Sequence, residues 1–155
     1  MDACVRRLVD RLALEPHPEG GHYRRIHASS VVVEADGRCR PAMTVIRYLL
    51  ERGQRSAWHR VDADESWHLD DGGTLELLQH APGSGLIERR RLGPAHGSGS
   101  GCVVPAGTWQ SACALENHVL VTCVVAPGFL WEGFELLDPD AALAAELSRL
   151  PLVER

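Results

Sequence analysis

Apolar positions near the amino terminus recur at Val5, Leu8, Val9 and Leu12. That i, i+3, i+4, i+7 spacing predicts an amphipathic helix, with Asp2 placed to cap it. Pro16 and Pro18 are expected to end the helix, and Glu19-Gly20-Gly21 to carry the chain through a turn. Beyond that turn the pattern becomes alternating. Apolar, β-branched or aromatic runs occupy 22–27, 31–33, 43–50, 57–61, 65–69, 75–80, 86–92, 101–104, 111–115 and 119–125. Turn clusters separate them, among them Ala35-Asp36-Gly37, Glu51-Arg52-Gly53, Asp70-Asp71-Gly72-Gly73, Pro82-Gly83-Ser84-Gly85 and His96-Gly97-Ser98-Gly99. Many short, evenly spaced strands argue for a sandwich or barrel. Asp138-Pro139 then predicts a closing helix with Leu143, Leu147 and Leu150 as its apolar stripe. No internal repeat or linker interrupts the 155 residues, which are expected to form a single domain, 1–155.

Composition adds limits. Hydrophobic residues make up 45% and charged residues 24%, with a formal net charge of -5, the profile of an ordinary globular chain. A mildly acidic protein is not drawn to phosphate backbones or anionic lipid, so neither nucleic acid nor a membrane is an expected partner. The one dense basic run, Arg89 to Arg91, reads as a solvated strand edge. Cys4, Cys39, Cys102, Cys113 and Cys123 show no CxxC pair, which argues against a disulfide framework or a structural zinc site. Cys113 and Cys123 fall in apolar runs and are expected to be buried. The first helix is too charged for a signal peptide or a membrane span, and a cytoplasmic location is the default expectation.

The candidate chemistry lies in two spaced sets. Gly53 is followed after five residues by His59, then by Val61, then after three by Glu65 and after six by Gly72. Gly99 is followed after five residues by Pro105, then by Gly107 and Gln110. Five local stretches accompany them in order: Pro18-Glu19-Gly20-Gly21, Ser56-Ala57-Trp58-His59-Arg60, Asp64-Glu65-Ser66-Trp67-His68, Val104 to Gln110, and Ala126-Pro127-Gly128-Phe129. In these features the sequence resembles the cupin superfamily, and within it the small single-domain DUF985-type cupins, a family without an assigned reaction. The resemblance implies an all-β, cupin-type double-stranded β-helix, an RmlC-like jelly-roll barrel, here with short N- and C-terminal helices. It also implies a homodimer and an internal pocket for a small molecule.

Side chains alternate across a strand, so His59 shares a face with Val61, and Glu65 with Trp67. If His59 points inward, as the cupin pattern implies, the lumen holds His59, Glu65, Trp67 and Gln110, and His68 belongs outside. Glu19, Tyr23 and Arg24 are candidates for the mouth, where Arg24 would pair with a ligand carboxylate or phosphate. His17 and His22 flank the same turn, while His80, His96 and His118 are expected to be exposed. Trp58, Trp109 and Trp131 are expected in the core or an interface rather than as ligand platforms.

Cupins often hold a metal with a His-x-His, a Glu and a further His. Here Val61 and Gln110 occupy two of those places, so no cofactor is favoured. A divalent metal, if bound, would fall to His59, Glu65 and Gln110. Without metal, His59 and Glu65 suit general acid–base work, as in metal-free cupin epimerases acting on sugar nucleotides. The leading expectation is therefore a small-molecule-binding cupin with isomerase or epimerase chemistry on a carbohydrate-like substrate. The alternatives are a non-catalytic ligand-binding or sensing module, and a metal-dependent cupin enzyme.

Overall fold

In the computed structural model, which describes residues 2–93 and 99–155, the first helix, α1, spans Ala3–Leu12. The turn beginning at His96, and the exposure expected for that histidine, lie outside the described residues. Asp2 caps α1 by accepting from the Cys4 amide at 2.7 Å. The helix stops before the prolines, because Ala13 turns left-handed and the Leu14 amide donates back to the Val9 carbonyl. Val5 and Leu8 pack with Leu14, Leu49 and Leu120. Burying each of those two side chains stabilises by roughly 1.5–3 kcal/mol.

The strands are β1 (Glu15–Pro16), β2 (His22–Ala28), β3 (Val32–Ala35), β4 (Arg38–Pro41), β5 (Thr44–Glu51), β6 (His59–Val61), β7 (Asp64–Gly72), β8 (Leu75–His80), β9 (Ile87–Leu92), β10 (Gly101–Val104), β11 (Trp109–Ala114), β12 (His118–Ala126), β13 (Phe134–Leu136) and β14 (Leu152–Glu154). They form two six-stranded sheets, ordered β1-β2-β5-β12-β7-β10 and β13-β6-β11-β8-β9-β14, beside a β3–β4 hairpin. A core of Tyr48, Leu50, Trp67, Leu75, Leu77, Leu92, Ala112 and Val121 draws on both sheets, so they pack face to face. The result is a largely β-sheet cupin-type domain. Among the described residues the strands pair as two separate ladders, with Arg52 and Arg55 after β5 bridging to Ala114 and Cys113 of β11.

Several expectations need correction. The closing helix, α2, runs only over Ala142–Leu147, and Asp138 accepts from the Asp140 amide instead of capping it. Leu150 lies beyond the helix, and the next residues form β14, parallel to β9. Arg89 to Arg91 are therefore not a free edge: Arg89 and Arg91 engage Glu76 and Glu154. His80 is buried rather than exposed, its Nδ1 2.9 Å from the Leu86 carbonyl. Among the described residues no helix is long and apolar enough to cross a membrane.

Candidate acid–base pocket

A cavity opens between the inner face of the first sheet and the β6–β13 edge of the second. Strand register explains its walls. Arg25, Ile46, Cys123 and Trp67 stand in one row across β2, β5, β12 and β7, and Thr44, Val125 and Glu65 in the next. All seven line the cavity. His59 and Val61 face them from β6, and Phe134, paired with Val61, comes from β13. Its volume is about 40 Å³, room for roughly three water molecules.

The polar floor is assembled by a turn from the start of the chain. Between His17 and Gly21 the backbone closes on itself, and Gly20 passes its carbonyl to the Tyr48 hydroxyl at 2.7 Å. Gly21 has φ +72, and a Cβ there would press on the Leu49 carbonyl and the Tyr48 ring, so a larger residue would open the turn. The Glu19 carbonyl accepts from the Ala57 amide at 2.7 Å, which fastens the turn to the segment leading into β6. Ser56, next to Ala57, is anchored in turn to Ser111 and Ala112 of β11.

Glu19 is thereby brought onto His59, with its Oε2 3.1 Å from Nε2. The Nδ1 of His59 lies 2.9 Å from the Ala57 carbonyl, an oxygen that can only accept, so Nδ1 carries the hydrogen. Burial lowers the His59 pKa, against an opposing pull from Glu65. Burial pushes Glu19 up to about 8, with the Tyr48 hydroxyl acting the other way. At neutral pH the pair is therefore uncharged, with Glu19 donating its proton toward Nε2. Burial also raises Glu65, to about 7. His17 accepts from the Glu19 amide at Nδ1, and burial, followed by repulsion from His59, lowers it to about 4.

Gln110 acts behind the wall. Its Oε1 accepts from the Trp67 indole at 2.9 Å and its amide nitrogen donates to Glu65 at 2.5 Å, a bridge between the two sheets. It orients Glu65 and Trp67 and is not among the residues lining the cavity. Its Oε1 already accepts from the Trp67 indole, so to join His59 and Glu65 on a metal it would have to use its second lone pair or give up that bond. Among the described residues no group of three or more His, Cys, Asp or Glu side chains meets as a metal site would require.

Of the sequence candidates, Glu19, Tyr23, His59, Glu65 and Trp67 share the cavity. Arg24 does not line it and Arg25 does, because alternation puts Arg25 on the face of Tyr23. His68 is exposed on the outer face, as the alternation predicts. His17 is a site residue, its ring edge-on to Tyr23 at 4.5 Å and stacked on Trp131 at 5.9 Å. His22 is not among the lining residues. Sequence reasoning missed Tyr48, Phe129, Trp131 and Phe134, which come from separate elements and share no spacing with His59. Trp131, expected in a core or interface, is 48% exposed and forms the outer wall.

Comparison with known proteins agrees with this architecture. The family described as Cupin superfamily (DUF985) matches residues 6–137. The chain belongs to that family. As a whole, this cupin superposes on a hypothetical protein from Leishmania major with a TM-score of 0.83 at 25% identity, covering 96% of this chain and 98% of the other. A protein from Shewanella oneidensis gives 0.80 at 33% identity, covering 89% and 87%. KdgF from Halomonas sp. gives 0.54 at 21% identity, covering 74% and 84%, a likeness of fold alone. No curated protein matches the sequence.

Proposed function

We propose that this cupin binds a small carbonyl compound and moves a proton on it, an isomerase or epimerase type of reaction that uses no metal. The reading rests chiefly on the Glu19–His59 contact of 3.1 Å inside an aromatic-walled cavity. With Nδ1–H tied to Ala57, the Nε2 lone pair of His59 is the base. A bound substrate displaces Glu19 from it. Nε2 takes the proton from the carbon beside the carbonyl, and the C–H electron pair passes into the carbonyl to form an enolate. Glu65, raised to about 7, is neutral often enough near physiological pH to donate to the enolate oxygen. Glu65 takes back the enol proton as the carbonyl re-forms, and His59 Nε2 returns the proton it holds, by then open to exchange with solvent, to a carbon of the enol.

A cavity of about 40 Å³ is too small for a sugar ring. Only the reacting end of a carbohydrate-like substrate would therefore enter it. The test is solvent-deuterium incorporation across a panel of small carbonyl compounds and sugar nucleotides. Exchange should fall about 100-fold or more in His59→Gln, with the fold intact by circular dichroism. Absence of exchange across the panel would remove the enzyme reading.

The second reading is a binding or sensing module without turnover. Glu19, His59 and Glu65 already have partners within the protein, and this mutual satisfaction favours it. It expects a saturable thermal-shift ligand whose effect depends on His59, with no exchange. The metal-dependent reading is checked by metal content after purification and by rebinding after stripping.

A further inference from the structure

We infer that Arg25 makes the cavity mouth a carboxylate-recognition site, so that the substrate class is short oxo-carboxylates; this rests on the proposed proton transfer. Among the described residues, seven of the sixteen arginines hold an acid (Arg38, Arg40, Arg55, Arg60, Arg89, Arg91 and Arg155), and of the others Arg25 is the one that lines the cavity. Arg25 differs. It lines the cavity at its exposed mouth, and among the described residues no ion pair joins it to a carboxylate. Its guanidinium stands over the Phe129 ring, 5.9 Å from the centroid. A guanidinium laid on an aromatic face keeps its edge free for the two parallel hydrogen bonds that a carboxylate accepts.

The opposite end of the cavity sets the orientation. Glu19 and Glu65 repel an anion whenever either is ionised, and neither offers it a cation. An anionic ligand therefore turns its charge to Arg25 and its neutral, reacting end to His59. Tyr23, whose ring touches His17, lies two residues from Arg25 on the same strand face, about 7 Å along it. The cavity volume of about 40 Å³ encloses roughly three non-hydrogen atoms, so a short acid would place its reacting end inside and its carboxylate at the mouth beside Arg25.

The experiment is calorimetry on the full chain with pyruvate, its neutral amide and inorganic phosphate. Wild type should bind pyruvate at least tenfold tighter than the amide, and phosphate more weakly than pyruvate. Arg25→Met should erase the preference for acid over amide, while Arg24→Met, on the opposite face, should keep it. Equal affinity for acid and amide in wild type, or an undiminished preference in Arg25→Met, overturns the assignment to Arg25. Phosphate binding as tight as pyruvate overturns the carboxylate class. Deuterium exchange into the amide, lost in His59→Gln, would show that proton transfer survives when the Arg25 assignment fails. If neither acid nor amide binds and no compound exchanges, both inferences fall.

Discussion

Asp62 and Glu65 are three residues apart in the chain and titrate in opposite directions. Partial burial pushes Asp62 up, but Arg40 and Arg38, at 2.9 and 2.6 Å, outweigh it and hold its carboxyl below the usual range. Glu65 is fully enclosed and meets an imidazole, an amide and a second carboxyl in place of a guanidinium, so burial dominates and raises it to about 7. The difference lies in the partner. A guanidinium keeps a carboxylate charged at any ordinary pH and makes it a fastener. A histidine or an amide leaves it able to gain and lose a proton near neutrality, which is what acid–base chemistry requires.

The largest effect is expected from breaking the fastener. Arg40 is 1% exposed; its Nε donates to the Gly128 carbonyl at 2.7 Å, and a terminal nitrogen donates to Asp62. Through it the β3–β4 hairpin is tied to the β6–β7 turn and to the chain after β12. Arg40→Met should lower stability by about 3 kcal/mol, the scale of breaking a buried ion pair. Urea denaturation reads the change, and a loss under about 1 kcal/mol would mean that Arg38 alone holds the hairpin.

The same contrast shows what was legible in the sequence. His59, Glu65 and Trp67 could be placed in the lumen because alternation along β6 and β7 and the family spacing agree. Glu19 was legible as part of a motif, but its contact with His59 was not, since it depends on the Ala57–Glu19 and Tyr48–Gly20 hydrogen bonds between distant segments. Strand parity with Tyr23 favours Arg25 over the sequence candidate Arg24, and it is Arg25 that lines the cavity. Gln110 shows the limit of a one-residue reading: its position on β11 was inferable, but its commitment to Trp67 and Glu65 needs both sheets in place. The short strands β4, β13 and β14 were invisible because three or four residues carry too little alternation to register a period.

A middle-sized effect is expected from pH. Glu19 and Glu65 have folded-state values of about 8 and about 7, raised above the ordinary 4.5. Above that ordinary value the unfolded chain loses these protons before the folded one does, so their contribution falls as pH rises and is lost through the folded values. His17, lowered to about 4, and His59, also lowered, act in the opposite sense. The unfolded chain gains their protons as pH drops below about 6.5, so stability rises with pH up to there. The two sets offset one another below about 6.5, and above it only the carboxyls act. Stability should therefore decline from about pH 6.5 to 8, by on the order of 1 kcal/mol per pH unit. Glu19→Gln should flatten the decline between about pH 7 and 8. A wild-type curve that is flat there, measured by urea unfolding, would contradict the neutral Glu19–His59 pair.

The smallest effect is expected at Arg60–Glu135, which has the fastener's chemistry without its burial. Arg60 donates to Glu135 at 2.6 and 2.7 Å, shorter on average than the contacts Arg40 makes, yet the two side chains are 38% and 54% exposed. Water and salt screen such a pair, so Glu135→Gln should change stability by less than about 0.5 kcal/mol. Arg60 also stands 4.7 Å from the Trp109 ring centroid, a contact that does not involve Glu135. Arg60→Ala should thus cost more than Glu135→Gln, by roughly 0.5–1 kcal/mol, and the excess should persist in high salt. If the two variants cost the same and both effects vanish in salt, the ion pair carries the contact and Trp109 contributes nothing. In either case the comparison with Arg40 separates short distance from burial, because only the buried guanidinium leaves an unmet group behind when it is removed.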